Sequence, residues 1–143
     1  MTRRLPLVFI VEDEPMVRDQ VVCYLEDFDE FRLASAGTGE EALRRLAGDP
    51  AEVCVVDLRM PGMSGVEFIR SAQSRGFCRH FIVHTGVVDT TLELEMAELG
   101  LTERDILLKP VDLETLLSRV REGVRAAGER PAPDRAASND NGK

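Results

Sequence analysis

The sequence predicts an α/β fold: a doubly wound, five-stranded parallel sheet in the strand order 2-1-3-4-5, with five helices. Two observations carry this. Five short apolar runs alternate along the chain with five amphipathic stretches, the pattern of strands joined by crossover helices. The first, third and fourth runs are almost wholly apolar, as strands covered on both faces must be. The second alternates and the fifth is short, which suits sheet edges.

The first run, Leu7–Val11, stops at the acids Glu12, Asp13 and Glu14. Pro15 then opens a helix over residues 15–27, where its fixed φ suits the first turn. The second run, residues 31–34 within FRLAS, precedes a helix over 38–47. The third, 53–56, ends on Asp57, and the turn-rich RMPGMSG leads into a helix over 65–74. The fourth, 81–83, leads to Thr85 and a helix over 90–99. The fifth, Ile106–Leu108, ends at Lys109 and Pro110. In the last helix, residues 113–127, Leu113, Leu116, Leu117, Val120 and Val124 share one face. The polar GERPAPDRAASNDNGK that follows has no periodicity. One domain is therefore expected over residues 1–127, with 128–143 a disordered tail.

Composition narrows the function. A chain of 143 residues is long enough for one domain with a sizeable core. Its net charge of −8 argues against a DNA-binding surface, which needs a basic face. No stretch approaches the ~20 apolar residues of a membrane span. Arg3 and Arg4 precede a short apolar run, but it ends at acids with no small-residue cleavage site, which argues against secretion. Cys23, Cys54 and Cys78 are odd in number and widely spaced. They read as reduced, mostly buried thiols of a cytoplasmic protein. Sixteen arginines stand against two lysines, so Lys109 is the only lysine of the expected folded region.

Ligands of doubly wound sheets bind outside the carboxyl ends of the strands. There the sequence places Glu12 and Asp13, Asp57, Thr85 and Lys109. Singly, each has a plain reading. Asp13 and Glu14 suit a helix start, Asp57 a turn, Thr85 a strand end, and Lys109 solvent. Together they match phosphoryl transfer to a carboxylate. An aspartate nucleophile forms the acyl phosphate, Mg²⁺ takes oxygen ligands, and a hydroxyl and an ammonium surround the transferred oxygens. Two carboxylates ~4 Å apart repel by roughly 4 kcal/mol at an effective dielectric near 20, so a cation is expected to offset them.

With VEDEP at the first strand, VVDLRMPGMSG at the third, HTG at the fourth and LLKP at the fifth, the chain resembles the receiver domains of two-component response regulators over residues 7–127. The resemblance implies a flavodoxin-like receiver fold and a stand-alone phosphoacceptor that catalyses only its own phosphorylation and dephosphorylation. Asp57 would take the phosphoryl group from a histidine kinase or histidine phosphotransfer protein. Asp13, Asp57 and the backbone carbonyl of Arg59 would hold Mg²⁺, with Glu12 acting through a water. Thr85 would bond the phosphoryl group and Lys109 would pair with it. Gly86 would leave it room, Arg59 and Val87 would tune the rates, and the bond before Pro110 would be cis. Ile106 stands where the family usually carries an aromatic, and GLTERD makes the segment from Thr85 to Lys109 about two residues longer than usual. Both point to an unusual output face.

His80 and His84 are expected to be structural, the donor histidine belonging to the partner. The downstream protein is left open, and direct transcription control is not expected from this chain, whose tail is too short to fold into a DNA-binding module. Glu93, Glu95 and Glu98 of the fourth helix could meet Arg119, Arg121 and Arg125 of the fifth in a homodimer through the helix 4–strand 5–helix 5 face. Two further readings are weighed. A degenerate receiver acting only as an interaction module is opposed by the intact acid set, Thr85 and Lys109. A Mg²⁺-dependent aspartyl-phosphate phosphatase wants a second acid two residues after the first, where this chain has Arg59.

Overall fold

A computed structural model describes residues 4–129. The elements run β1 (Leu7–Val11), α1 (Pro15–Glu26), β2 (Arg32–Ala36), α2 (Gly39–Gly48), β3 (Ala51–Asp57), α3 (Gly65–Arg75), β4 (Cys78–Thr85), α4 (Thr90–Glu98), β5 (Ile106–Leu108) and α5 (Leu113–Glu129). All strands are parallel, in the expected order β2-β1-β3-β4-β5.

Strand alternation splits the core into two layers. Phe9 and Val11 of β1, Cys54 and Val56 of β3, and Phe81 and Val83 of β4 face α2, α3 and α4. Val8, Ile10, Val53, Val55, Ile82 and Leu107 face α1 and α5, meeting Val21, Leu25, Leu116, Leu117 and Val120. Each such side chain contributes ~1.5–3 kcal/mol on burial. Cys54 and Cys78 lie in the interior and Cys23 is exposed.

Helix starts follow local chemistry. Thr38 accepts from the Glu41 N–H, Asp89 from Leu92, and Ser64 and Glu67 form a reciprocal capping box. Glu14 occupies the cap position of α1, but its side chain caps nothing, and Pro15 alone marks the start.

Three strand boundaries differ from expectation. Residues 31–34 become Arg32–Ala36, 53–56 become Ala51–Asp57, and 81–83 become Cys78–Thr85. The added ends are held by backbone pairing, which an apolar-run criterion does not see. GLTERD closes α4 on Gly100, at φ 82°, with the Leu101 N–H bonded back to the Met96 carbonyl. A 3₁₀ turn at Glu103–Asp105 then delivers β5. Helix α5 continues two residues beyond the expected end at 127; the rest of the tail lies outside the described residues. Among the described residues, no helix is long and apolar enough to cross a membrane.

Candidate functional site at the carboxyl edge of the sheet

Four polar side chains continue the α1/α5 face at the strand ends, because each keeps the parity of the apolar residues before it. Glu12 follows Val8 and Ile10, Asp57 follows Val53 and Val55, His84 follows Ile82, and Lys109 follows Leu107. Glu12, Asp57 and His84 are almost completely buried. One oxygen each from Glu12, Asp13 and Asp57 lie within 4.8 Å of one another, a set of hard donors that could hold a divalent cation. Lys109 Nζ lies 3.3 Å from Asp57 Oδ2 and 3.5 Å from Glu12 Oε1.

The backbone aims the carboxylates. The Arg59 N–H donates to Asp57 Oδ1 at 3.1 Å, and the Glu14 N–H donates to Glu12 Oε2 at 3.2 Å. Arg18, which sequence reasoning missed, donates to the Glu12 carbonyl at 2.7 Å from one turn into α1. Gly65 lets α3 start against the end of β3. A Cβ there would sit 2.6 Å from Leu58 Cα and 2.7 Å from the Asp57 carbonyl oxygen, inside any tolerable contact.

The remaining expected residues fall around this centre. Thr85 is buried on the opposite face and donates its hydroxyl to the Val87 carbonyl at 3.2 Å. With Arg59, Ser64 and Val87 it lines a cleft of about 340 Å³. Gly86 is exposed, with open space where a Cβ would stand. The Lys109–Pro110 bond is cis. Ile106 is away from the acids: with Val88, Met96, Leu101 and Leu108 it lines a groove of about 560 Å³ between α4 and β5. His80 stands 3.3 Å from Asp105. Arg121 is directed away from the α4–β5–α5 face, pairing with Glu30 at 2.6 Å and stacking on Phe28.

Burial pushes the Glu12 carboxyl up to about 7; the Glu14 N–H opposes this and the neighbouring Asp57 reinforces it. Burial would lower Lys109, but the charges of Asp57 and Glu12 hold it above the ordinary lysine value. Burial, reinforced by Lys109, lowers His84 to about 4.

These shifts oppose one another in stability. A raised Glu12 favours the folded state at low pH, and that contribution is lost as pH rises from about 4.5 through about 7. A depressed His84 favours it above about 6.5, and that contribution is lost as pH falls through about 4. Each is worth up to ~3 kcal/mol. In chelator, urea unfolding of the wild type should therefore change little between pH 4.5 and 6.5. Glu12→Gln should uncover His84 alone, with stability rising by about 2 kcal/mol or more over that window. A Glu12→Gln profile as flat as the wild type's would contradict the assignment.

A family model, the response regulator receiver domain, matches residues 8–121. The chain is 34% identical over 140 residues to protein-glutamate methylesterase/protein-glutamine glutaminase 2 of Caulobacter vibrioides, covering 91% of this chain and 40% of that protein. It is 33% identical over 140 residues to the transcriptional regulatory protein FixJ of Azorhizobium caulinodans, covering 96% of this chain and 64% of that one. It thus spans less than two thirds of the length of either relative. A response regulator receiver protein from Pseudomonas putida has a similar structure, at TM-score 0.75 and 31% identity, covering 85% of this chain and 99% of that one. A CheY-like receiver domain from Methanospirillum hungatei, at TM-score 0.77 and 23% identity over 87% of this chain and 98% of that one, shares the fold.

Proposed function

The chain belongs to the response regulator receiver domain family, and from that membership we propose that it is a phosphoacceptor taking a phosphoryl group onto Asp57 from the phosphohistidine of a kinase or phosphotransfer protein. The observation that carries the proposal is Asp57 itself, buried among Glu12, Asp13 and the Lys109 ammonium. Its Oδ2 attacks phosphorus as the bond from phosphorus to the donor's imidazole nitrogen breaks. The new bond is an acyl phosphate, and the released imidazole keeps the electron pair of the broken bond.

Lys109, poised against Oδ2, pairs with the transferred oxygens as a point charge. The Arg59 N–H fixes the other carboxylate oxygen, and Thr85 supplies a hydroxyl once it releases the Val87 carbonyl. Asp13, Asp57 and the Arg59 carbonyl would hold Mg²⁺, with Glu12 acting through a water. The donor set supports this: one oxygen each from Glu12, Asp13 and Asp57 lie within 4.8 Å of one another, all hard donors. When bound, Mg²⁺ neutralises charge that builds on the phosphoryl oxygens. The chain acts as a cytoplasmic signalling protein rather than an enzyme on other substrates. Its output is a change of partner binding at α4, β5 and α5, where the Ile106 groove lies. A homodimer through that face would rest on Glu93, Glu95, Glu98, Arg119 and Arg125, without Arg121. Sedimentation with and without a beryllofluoride mimic tests it.

Incubation with a small acyl phosphate and Mg²⁺ should add one phosphoryl group by intact mass, and none in chelator. Saturating Mg²⁺ should also raise the melting temperature by several degrees, since a ligand at 100 times its Kd adds about 2.7 kcal/mol. Asp13→Asn should blunt that rise. A folded wild type with neither adduct nor thermal response would overturn the proposal.

A further inference from the structure

His84 is buried at the catalytic edge, and the reaction assigned above gives it nothing to do. Its side chain is 1% exposed, and its backbone stands in register between Asp57 of β3 and Leu107 of β5. Nε2 lies 3.3 Å from Glu12 Oε1. Neither ring nitrogen, nor Glu12 Oε1, has a well-aligned hydrogen-bond partner among the described residues.

The plain reading makes His84 a space-filler between Ile82 and the helices. That reading is costly. A buried polar side chain without a partner loses its hydration for nothing, and a leucine of similar volume would fill the same space without the penalty. The orphaned atoms are also complementary: an imidazole N–H can donate, a carboxylate oxygen can only accept, and they are within reach of each other.

We propose that His84 is a positioning residue for Glu12, its Nε2–H donating to Oε1. This rests on the phosphoacceptor reading of the site. Glu12 is then gripped at both oxygens, by His84 at Oε1 and by the Glu14 N–H at Oε2, so its plane is set toward Asp13 and Asp57. The grip also bears on Lys109. Its ammonium lies between Glu12 and Asp57 at nearly equal distances. Satisfying Oε1 from the histidine side leaves that ammonium for Asp57 and the incoming phosphoryl oxygens. Partners of this kind, which orient the groups around a metal without binding it, commonly change its affinity when lost.

The test compares wild type, His84→Leu and His84→Gln, each checked for folding by circular dichroism. Mg²⁺ affinity is read by calorimetry, and the ring tautomer of the wild type by nitrogen-15 NMR, where only two histidines need assigning. Leucine should weaken Mg²⁺ binding about tenfold or more, and glutamine, whose amide nitrogen reaches the Nε2 position, should restore it to within about threefold. The wild-type Nε2 should carry the proton. Leucine binding Mg²⁺ as the wild type does, or glutamine as weak as leucine, overturns the proposal. If the leucine variant does not fold, an Nε2 without a proton overturns it on its own. A wild type that neither binds Mg²⁺ nor takes up phosphoryl groups fails the phosphoacceptor reading instead, which separates the two.

Discussion

Asp57→Asn should abolish phosphoryl uptake from a small acyl phosphate, cutting the initial rate at least ~10³-fold, as loss of a nucleophile does. The amide keeps the shape of the side chain but has no carboxylate oxygen to attack phosphorus. The substitution should not unfold the protein. Asparagine can still accept from the Arg59 N–H, and it removes one charge from three carboxylates whose oxygens lie within 4.8 Å of one another. Relief of that repulsion should offset loss of the Lys109 pair, so the melting temperature should hold or rise. The measurement is an intact-mass time course beside a thermal melt. A folded Asp57→Asn protein that still gains a phosphoryl group would show that another residue is the acceptor.

Lys109→Met should have the second-largest effect, slowing phosphorylation by ~10²-fold or more, the cost of removing one preorganised group that faces developing charge. Methionine keeps most of the stem's bulk, so the change isolates the ammonium. Stability should fall as well. Asp57 and Glu12 are buried and would lose the cation that stands 3.3 Å and 3.5 Å away. Because Lys109 is partly exposed, that loss should be ~1–3 kcal/mol, below the range for fully buried pairs. Mg²⁺ should recover much of the stability but not the rate, since a metal among Glu12, Asp13 and Asp57 cannot also stand where the ammonium does. Full recovery of both would reduce Lys109 to a counter-ion.

What the sequence revealed of this site, and what it hid, divides by range. Strand order and edges were legible because covering one or both faces of a strand leaves a local pattern in apolar content. Glu12, Asp57, Thr85 and Lys109 were legible as a set because each ends a strand, and parallel strands bring those ends together. Strand lengths were not: Arg79 and His80 belong to β4 through backbone pairing, whatever their polarity. The meaning of His84 was hidden too. Parity in β4 places it on the face of Ile82, but only the sheet order, with β3 between β1 and β4, sets Glu12 against it. Arg121 shows the same limit. Its helical position suggested an output face, while its partner, Glu30, lies 91 residues away in sequence.

The crowded acids after β1 have separable parts. Glu12 and Asp13 converge with Asp57, Glu14 supplies a backbone N–H that holds Glu12, and Pro15 starts the helix. The crowding of charge there is offset by Lys109, 3.3 Å from Asp57 and 3.5 Å from Glu12, and would be offset further by the proposed Mg²⁺.

The most direct measurement of the central claim is to locate the phosphoryl group. After reaction with a small acyl phosphate and Mg²⁺, borohydride reduces an aspartyl phosphate to homoserine, which peptide mass mapping can place in the chain. Homoserine is expected at position 57 and at no other aspartate. Homoserine elsewhere, or a stable adduct on a serine, threonine or histidine of the folded protein, would contradict it.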